Sequence, residues 1–213
     1  MNKEESVKVA IIGGSGKVGR FLLQRVSNAG YPMRVLMRNP DTIKPGNGRM
    51  EIIQGDARDS AAIRSLLQGC DTVLSALQQR KGEAPVCNTV TGHVLAAMKE
   101  LGVRRYILVR AFSIDAPGDH KDLRTRLISM LVRRVIPEIW ADWQKELDTL
   151  LSSNIEWTVV RIPIVVEEPS LGQARVDLAS PPGKKISGRD IANFVVTQIT
   201  EITYVRKAPF IGN

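Results

Sequence analysis

A β-branched run that breaks into glycines constrains this chain more than any other stretch. Val7-Lys8-Val9-Ala10-Ile11-Ile12 leads directly into Gly13-Gly14-Ser15-Gly16-Lys17-Val18-Gly19. Val18, Phe21, Leu22, Arg25, Val26 and Ala29 then follow at helical spacing, and Gly30 closes them. A short run that is apolar on both alternations suits a strand covered on both faces, as in a parallel sheet. Strand, glycine turn and helix in that order predict the first unit of an α/β fold.

The rest of the chain repeats the alternation. Pro32–Arg38 reads as a second strand, stopped by the turn pair Asn39-Pro40, and Met50–Asp56 as a third. Ala61–Leu67 reads as a short helix closed by Gly69, and Asp71–Leu77 as a fourth strand. A longer helix over Val86–Leu101 is stopped by Gly102, and Arg105–Phe112 is a fifth strand. The pattern predicts a Rossmann-type doubly wound parallel sheet with right-handed crossovers. Beyond residue 115 it loosens. Leu123, Leu127, Met130 and Leu131 predict an amphipathic helix, its apolar stripe buried and Arg124, Arg126, Arg133 and Arg134 on a solvated face, against the alternative that this basic face touches acidic lipid or nucleic acid. Pro137–Leu151 is a further helix, Trp157–Ile162 a sixth strand, Ala174–Leu178 a short strand and Asp190–Thr200 a last helix. Phe210-Ile211-Gly212 reads as a terminal edge strand. With no internal repeat or linker, residues 1–213 read as a single dinucleotide-binding domain, the part after about 115 covering the substrate side.

Composition narrows the class. No apolar run reaches the roughly 18–20 residues of a membrane span, and the polar start Met1-Asn2-Lys3-Glu4-Glu5 does not resemble a secretory signal. A cytoplasmic location is therefore expected. Cys70 and Cys87 form no C-x-x-C pair and read as reduced thiols, and His93 and His120 lack ligand-like spacing, so no metal is expected. At the start of a helix, Cys87 is either a thiol activated by the dipole or a small packed residue. The net charge of +8 permits anionic partners, although the basic residues are scattered and most read as solvated surface. No nucleic-acid or membrane partner is expected.

The glycine loop carries the clearest chemistry. Gly14, Gly16 and Gly19 fit G-x-G-x-x-G, while Gly13, Gly16 and Gly19 fit G-x-x-G-x-x-G. The early glycines permit the turn, Gly16 permits close approach of a diphosphate, and Gly19 permits close packing of helix on sheet. The helix N-terminus offers amides and a positive dipole end to the phosphates, and Ser15 adds a hydroxyl. The second strand ends in Arg38 instead of the carboxylate that would accept from ribose hydroxyls, which favours NADP(H), with Lys17 and Lys44 assisting. Asp41 keeps NAD(H) open. Asp56 either accepts from the adenine amino group beside the Ala57 backbone or belongs to a helix N-cap region with Asp59 or Ser60. Ser75, Ala76 and Leu77 are expected to flank the cofactor ribose.

Together these residues resemble the atypical short-chain dehydrogenase/reductases, and within them the NmrA-like and NAD(P)H-binding group of flavin/biliverdin-IXβ-type reductases and sugar-epimerase-like proteins. The resemblance covers nearly the whole chain. It includes Arg38-Asn39-Pro40, Gly55-Asp56, the run from Ala97 to Val109, the run from Ser153 to Arg161 and Ile186-Ser187-Gly188-Arg189-Asp190-Ile191-Ala192. It implies a nicotinamide at the carboxyl edge of the sheet and a small-molecule pocket built from the second half.

One departure is informative. Short-chain dehydrogenases use a serine near the end of strand five and a Tyr-x-x-x-Lys, whose tyrosine protonates the carbonyl. Here Arg110 falls where the group often has serine, and Ser113 comes late. Four residues after Tyr31, Tyr106 and Tyr204 stand Val35, Arg110 and Ala208. Three readings follow. The chain is a reductase whose flavin-like, quinone or carbonyl acceptor needs no protein acid. It is a catalytically silent redox-sensing regulator acting through a protein partner. Or it is an acid–base enzyme in which Arg110 and Ser113 serve an oxyanion while Asp115 or His120 handles protons. Phe112, Trp140 and Trp143 are candidates for the substrate pocket, against the plainer alternative that Trp140 and Trp143, at i and i+3, pack in the core.

Overall fold

Ten strands and six helices lie within residues 7–40, 49–79, 83–167 and 169–213, which the computed structural model describes. In chain order they are β1 (Val9–Ile12), α1 (Lys17–Asn28), β2 (Met33–Met37), β3 (Met50–Gln54), α2 (Ser60–Leu67) and β4 (Thr72–Ser75). Next come α3 (Cys87–Leu101), β5 (Arg105–Ala111), α4 (Leu123–Val135), α5 (Pro137–Leu151) and β6 (Glu156–Ile162). The last are β7 (Ile164–Val166), β8 (Arg175–Asp177), β9 (Lys185–Ser187), α6 (Gly188–Thr197) and β10 (Phe210–Gly212). Asp41, Lys44 and the first five residues lie outside the described residues.

Eight strands form one sheet in the order β3-β2-β1-β4-β5-β6-β10-β8, parallel except where β10 meets β8. The order reverses direction between β1 and β4, so the crevice beyond the carboxyl ends of those two strands is where an α/β sheet of this kind receives a ligand. Strand alternation divides the core. Val9 and Ile11 of β1 face Leu22 and Val26 of α1 and Ile191 and Val195 of α6. Ala10 and Ile12 face the other way, into a layer containing Leu66 and Leu67 of α2, Val90 and Met98 of α3, and Leu147 and Leu150 of α5. Each Val, Leu, Ile or Met among these, fully buried, contributes about 1.5–3 kcal/mol. Gly102 ends α3 with φ +74°, a left-handed conformation that glycine adopts without strain.

The expected elements are present, with ends shifted by at most three residues. Phe210–Gly212 is a strand but not an edge, because β6 and β8 flank it and β8 closes the sheet. The small parallel sheet of β7 and β9 was not expected, as three-residue strands leave too short a period to read. The largest difference concerns α4. Its inward residues are Thr125 and Ser129, while Leu123, Leu127, Met130 and Leu131 are exposed, so the predicted apolar stripe is not buried.

Not every basic residue is surface either. Arg34, Arg105, Arg110 and Arg161 are buried, and each donates to main-chain carbonyls. Arg34 joins β2 to Glu51 on β3 and to the Ser65 and Gln68 carbonyls at the end of α2. Arg105 holds the Gln198 carbonyl at the end of α6, and burial pulls its pKa down to about 10. The planar, five-donor guanidinium explains why arginine fills these positions: its fork can satisfy several carbonyls at once.

Candidate functional site

A cleft of about 350 Å³ opens at the carboxyl ends of β1, β2 and β4. Gly13, Ser15 and Gly16 form one wall, Arg38, Asn39, Asp56, Ala57 and Arg58 the second, and Ala76, Leu77, Gln78 and Gln79 the third. Eight of the thirteen residues expected to hold a dinucleotide therefore meet around one cavity: Gly13, Ser15, Gly16, Arg38, Asp56, Ala57, Ala76 and Leu77.

The loop reaches this shape because two positions admit nothing larger than glycine. Gly13 has φ +81°, and a Cβ there would lie 2.6 Å from the Leu77 amide nitrogen and 2.8 Å from the Ala76 carbonyl oxygen. A Cβ on Gly19 would lie 2.0 Å from the Gly13 carbonyl oxygen. Gly13 lets the loop lie against β4, and Gly19 lets α1 lie against the loop. The remaining loop residues sit behind the cleft. Gly14 faces Val35 and Leu23, Val18 packs in the core, and Lys17 turns away to the Val165 carbonyl at 3.1 Å and Glu167 at 3.3 Å. Ser75 is buried, its Oγ accepting from the Leu77 amide at 3.4 Å.

Helix capping separates α1 from α2, α3, α4 and α6; α5, which also lacks a side-chain cap, starts with Pro137 and Glu138. Asp59 caps α2, Asp122 caps α4 and Ser187 caps α6, each through its own side chain. The first amides of α3, Cys87 and Asn88, donate across the fold to the Asp142 carboxylate of α5. By contrast α1 begins at Gly16 with no side-chain cap and no acid in its first turn. Its leading amides and dipole end are left facing the cleft wall, the arrangement that receives an anion. Asp59 caps α2, and Asp56, just before it, accepts from the Arg58 amide and also lines the cleft.

At the second wall two guanidiniums meet two carboxylates. Arg38 lies 3.3 Å from Glu83 and 3.9 Å from Asp56, and Arg58 lies 2.6 Å from Glu83. Arg58 and Glu83 were not singled out from the sequence. The proximity of Arg58 to the Gly55-Asp56-Ala57 turn was the available signal, and Glu83 is brought there by tertiary structure alone.

The residues expected to perform chemistry lie elsewhere. Arg110 is 1% exposed and forms a two-bond ion pair with Glu146, also 1% exposed, while its remaining fork donates to the Leu77 and Val109 carbonyls. A guanidinium engaged this way is not presented to an oxyanion, which corrects the expected catalytic role. Glu146 also accepts from Thr91 at 2.7 Å, and Thr91 meets the Tyr106 hydroxyl at 3.1 Å. Ser113 is buried outside the cleft, its hydroxyl without a partner among the described residues. Asp115 pairs with Lys121 at 2.7 Å, and the His120 amide donates to the Ala179 carbonyl.

The aromatic wall is not assembled around this cleft. Trp143 packs in the core, Trp140 donates to the Ser113 carbonyl at 3.1 Å beneath Arg133, and the Phe112 amide bonds to the Ile162 carbonyl. Burial pushes the thiol of Cys87 up to about 11 and that of Cys70 likewise up to about 11, so both behave as packed residues and not as activated thiols. Among the described residues no cluster of ligating side chains suits a metal, and no helix is long and apolar enough to cross a membrane.

A (4-alkanoyl-5-oxo-2,5-dihydrofuran-3-yl)methyl phosphate reductase of Streptomyces griseus is 26% identical over 205 residues, covering 90% of this chain and 63% of that protein. The chain thus spans less than two thirds of the length of that relative. A Rossmann-fold NAD(P)-binding family protein from Shigella flexneri superimposes with a TM-score of 0.75 at 20% identity, over 98% of this chain and 94% of the other. A short-chain dehydrogenase/reductase from Veillonella parvula, solved in complex with NADP, superimposes with a TM-score of 0.79 at 15% identity, over 97% and 94%. At these identities the two solved structures show the fold. Residues 13–202 match the family model described as NAD(P)H-binding, and on that match, which spans most of the sequence, the chain belongs to the NAD(P)H-binding family.

Proposed function

We propose that the chain binds NADP(H) in preference to NAD(H) in the β1–β4 cleft and is an oxidoreductase acting on a flavin-like, quinone or carbonyl acceptor. The observation that carries the cofactor preference is the pair Arg38 and Arg58 at the rim, where two guanidiniums can clamp a 2′-phosphate. The cavity fits a dinucleotide: the loop backbone and the uncapped start of α1 suit its diphosphate, and Asp56 with the Ala57 main chain lies where an adenine edge would be held. A bound nicotinamide supplies hydride chemistry. Ala76, Leu77, Gln78 and Gln79 shape the wall along which the rest of the cofactor would run. The known reductase relative and the NADP-bound neighbour support the same reading.

Proton transfer by a tyrosine is not part of this proposal. Tyr106 is buried with its hydroxyl on Thr91, and burial raises its pKa. An acceptor that takes its proton from water suits such a site better than one needing a positioned acid. A second reading, a silent NADP(H)-binding regulator with a protein partner, is favoured by the fact that neither Arg110 nor Ser113 lines the cleft.

One experiment separates the readings. Purified protein is titrated with NADPH and NADH by calorimetry, then mixed with NADPH and a panel of flavins, quinones and small carbonyls while nicotinamide absorbance is followed. Tighter NADPH binding with turnover of one acceptor is expected. Binding without any turnover points to the regulator. No heat with either nucleotide overturns both readings.

A further inference from the structure

Helix α4 is built inside out. Its sequence, LRTRLISMLVRRV, contains no acid and four arginines, Arg124, Arg126, Arg133 and Arg134. The residues it buries are Thr125 and Ser129, polar and small, which lie one turn apart. The long apolar residues point outward: Leu123 is 72% exposed, Met130 65%, Leu131 60% and Leu127 57%. Its neighbour in the fold is α5. A contiguous apolar face of this size, left in water on an otherwise well-packed protein, marks an interaction surface.

We infer that α4 lies in the plane of an anionic lipid surface. Leu123, Leu127, Met130 and Leu131 would insert at the acyl boundary, and the four arginines would meet headgroup phosphates. At 3.6 residues per turn the four apolar residues fall on one side of the helix. Arg124 borders that side along one edge, Arg126 and Arg133 along the other, and Arg134 falls within it at the C-terminal end. An apolar face rimmed by long cationic side chains is the pattern of an interfacial helix, because the aliphatic stems of arginine extend the apolar contact while their heads stay at the phosphates. Arg133 stacks over Trp140, its carbon 4.7 Å from the ring centroid, which adds a half-buried indole at the edge of the same surface. The N-terminal end of the helix is fixed to the body: Asp122 caps it, and the Asp122 amide donates to Ser180.

Charge decides against a second copy as the occupant. Pairing this face with itself about a two-fold axis would bring both sets of four arginines together, with no acid on either helix to answer them. The nearest acid on the N-terminal side, Asp122, is committed to the Thr125 amide at 2.8 Å. A surface of lipid phosphates supplies the missing negative charge. The inference stands independently of the dinucleotide cleft.

Co-sedimentation of the full chain with vesicles tests it. Vesicles of phosphatidylcholine containing phosphatidylglycerol should retain about tenfold or more protein than vesicles of phosphatidylcholine alone at low salt, with loss of binding as salt screens the headgroups. Leu127→Ser with Met130→Ser should abolish the retention, and so should replacement of the four arginines by glutamine. All these side chains are exposed, so an unchanged thermal midpoint is expected to show that the variants fold. The salt dependence of the unaltered protein provides a readout that needs no variant. Equal retention on both vesicle types, or none on either, overturns the inference. So does a concentration-dependent dimer in sedimentation velocity that Leu127→Ser with Met130→Ser dissolves, since that would give the face to a second copy.

Discussion

At the rim of the cleft Arg38 and Arg58 face Glu83 and Asp56 with their side chains 38% and 46% exposed. On β5 and β6, Arg110 and Arg161 face Glu146 and Asp119 and are 1% exposed. The rim pairs and the buried pairs use the same chemistry with opposite consequences. An exposed ion pair is worth about 0–1 kcal/mol, so the rim pairs can open to admit a phosphate at little cost. A buried pair broken on one side costs about 3–5 kcal/mol, because the remaining charge is left unsolvated. Arg161 is further held by stacking on Phe210, 3.5 Å from the ring centroid, although burial lowers its pKa. One region therefore keeps its charges exchangeable, while the other uses them to fix the register of α5 and the 113–122 loop against the sheet.

The sharpest test of that contrast removes a buried partner. Glu146→Ala should destabilise the chain by about 3–5 kcal/mol in urea unfolding, and Arg110→Met with Glu146→Leu should recover most of the loss. A loss below about 1 kcal/mol would show that Arg110 finds water or another partner, and would reopen it as a functional group. At the rim, Arg38→Ala should leave stability nearly unchanged and weaken NADPH binding about tenfold or more in calorimetry, with little change for NADH. Equal losses for the two nucleotides would remove Arg38 from the 2′-phosphate. Glu83→Gln should act in the opposite direction, tightening NADPH binding by about a few-fold, because a carboxylate that occupies both arginines competes with the phosphate. Weaker NADPH binding in that variant would mean that Glu83 holds the arginines in place for the ligand.

A separate expected effect is alkaline. In the folded chain burial raises the Cys87 and Cys70 thiols to about 11, whereas unfolded thiols ionise near about 8.5. Their contribution is therefore fully present below about pH 8.5 and declines as pH rises towards about 11, since the unfolded chain then releases protons that the folded chain retains. A thermal midpoint that falls over this window, and falls less in a Cys70→Ala, Cys87→Ala variant, is the expected result. An identical decline in that variant would assign the effect to other groups, of which buried Tyr106 is the first to examine.

Local pattern carried much of the first half of the chain. β1 through β5 and the helices between them are short, regular and bounded by glycines, so period and punctuation located them within a few residues. The same pattern located the glycine loop, Arg38, Asp56 and the Ser75–Leu77 segment. Helix α4 failed for a specific reason: its periodicity was correctly helical, but a periodic apolar stripe does not state which side of the helix meets the protein. Arg110 failed likewise, since its position near the end of β5 was clear and its partner, Glu146, is 36 residues away. Trp143 packing in the core and Cys87 as a small packed residue were the plainer alternatives, and both residues are buried.

What the sequence determined alone was the order of the helices and of every strand but β7 and β9, because these depend on residues within one turn or one pleat of each other. Tertiary structure decided which charges are buried and which remain at the surface. Desolvation and pairing depend on groups brought together across the fold, as Glu83 is to Arg38 and Glu146 to Arg110. That separation sets the cleft and its exchangeable rim apart from a core whose ions are spent on stability.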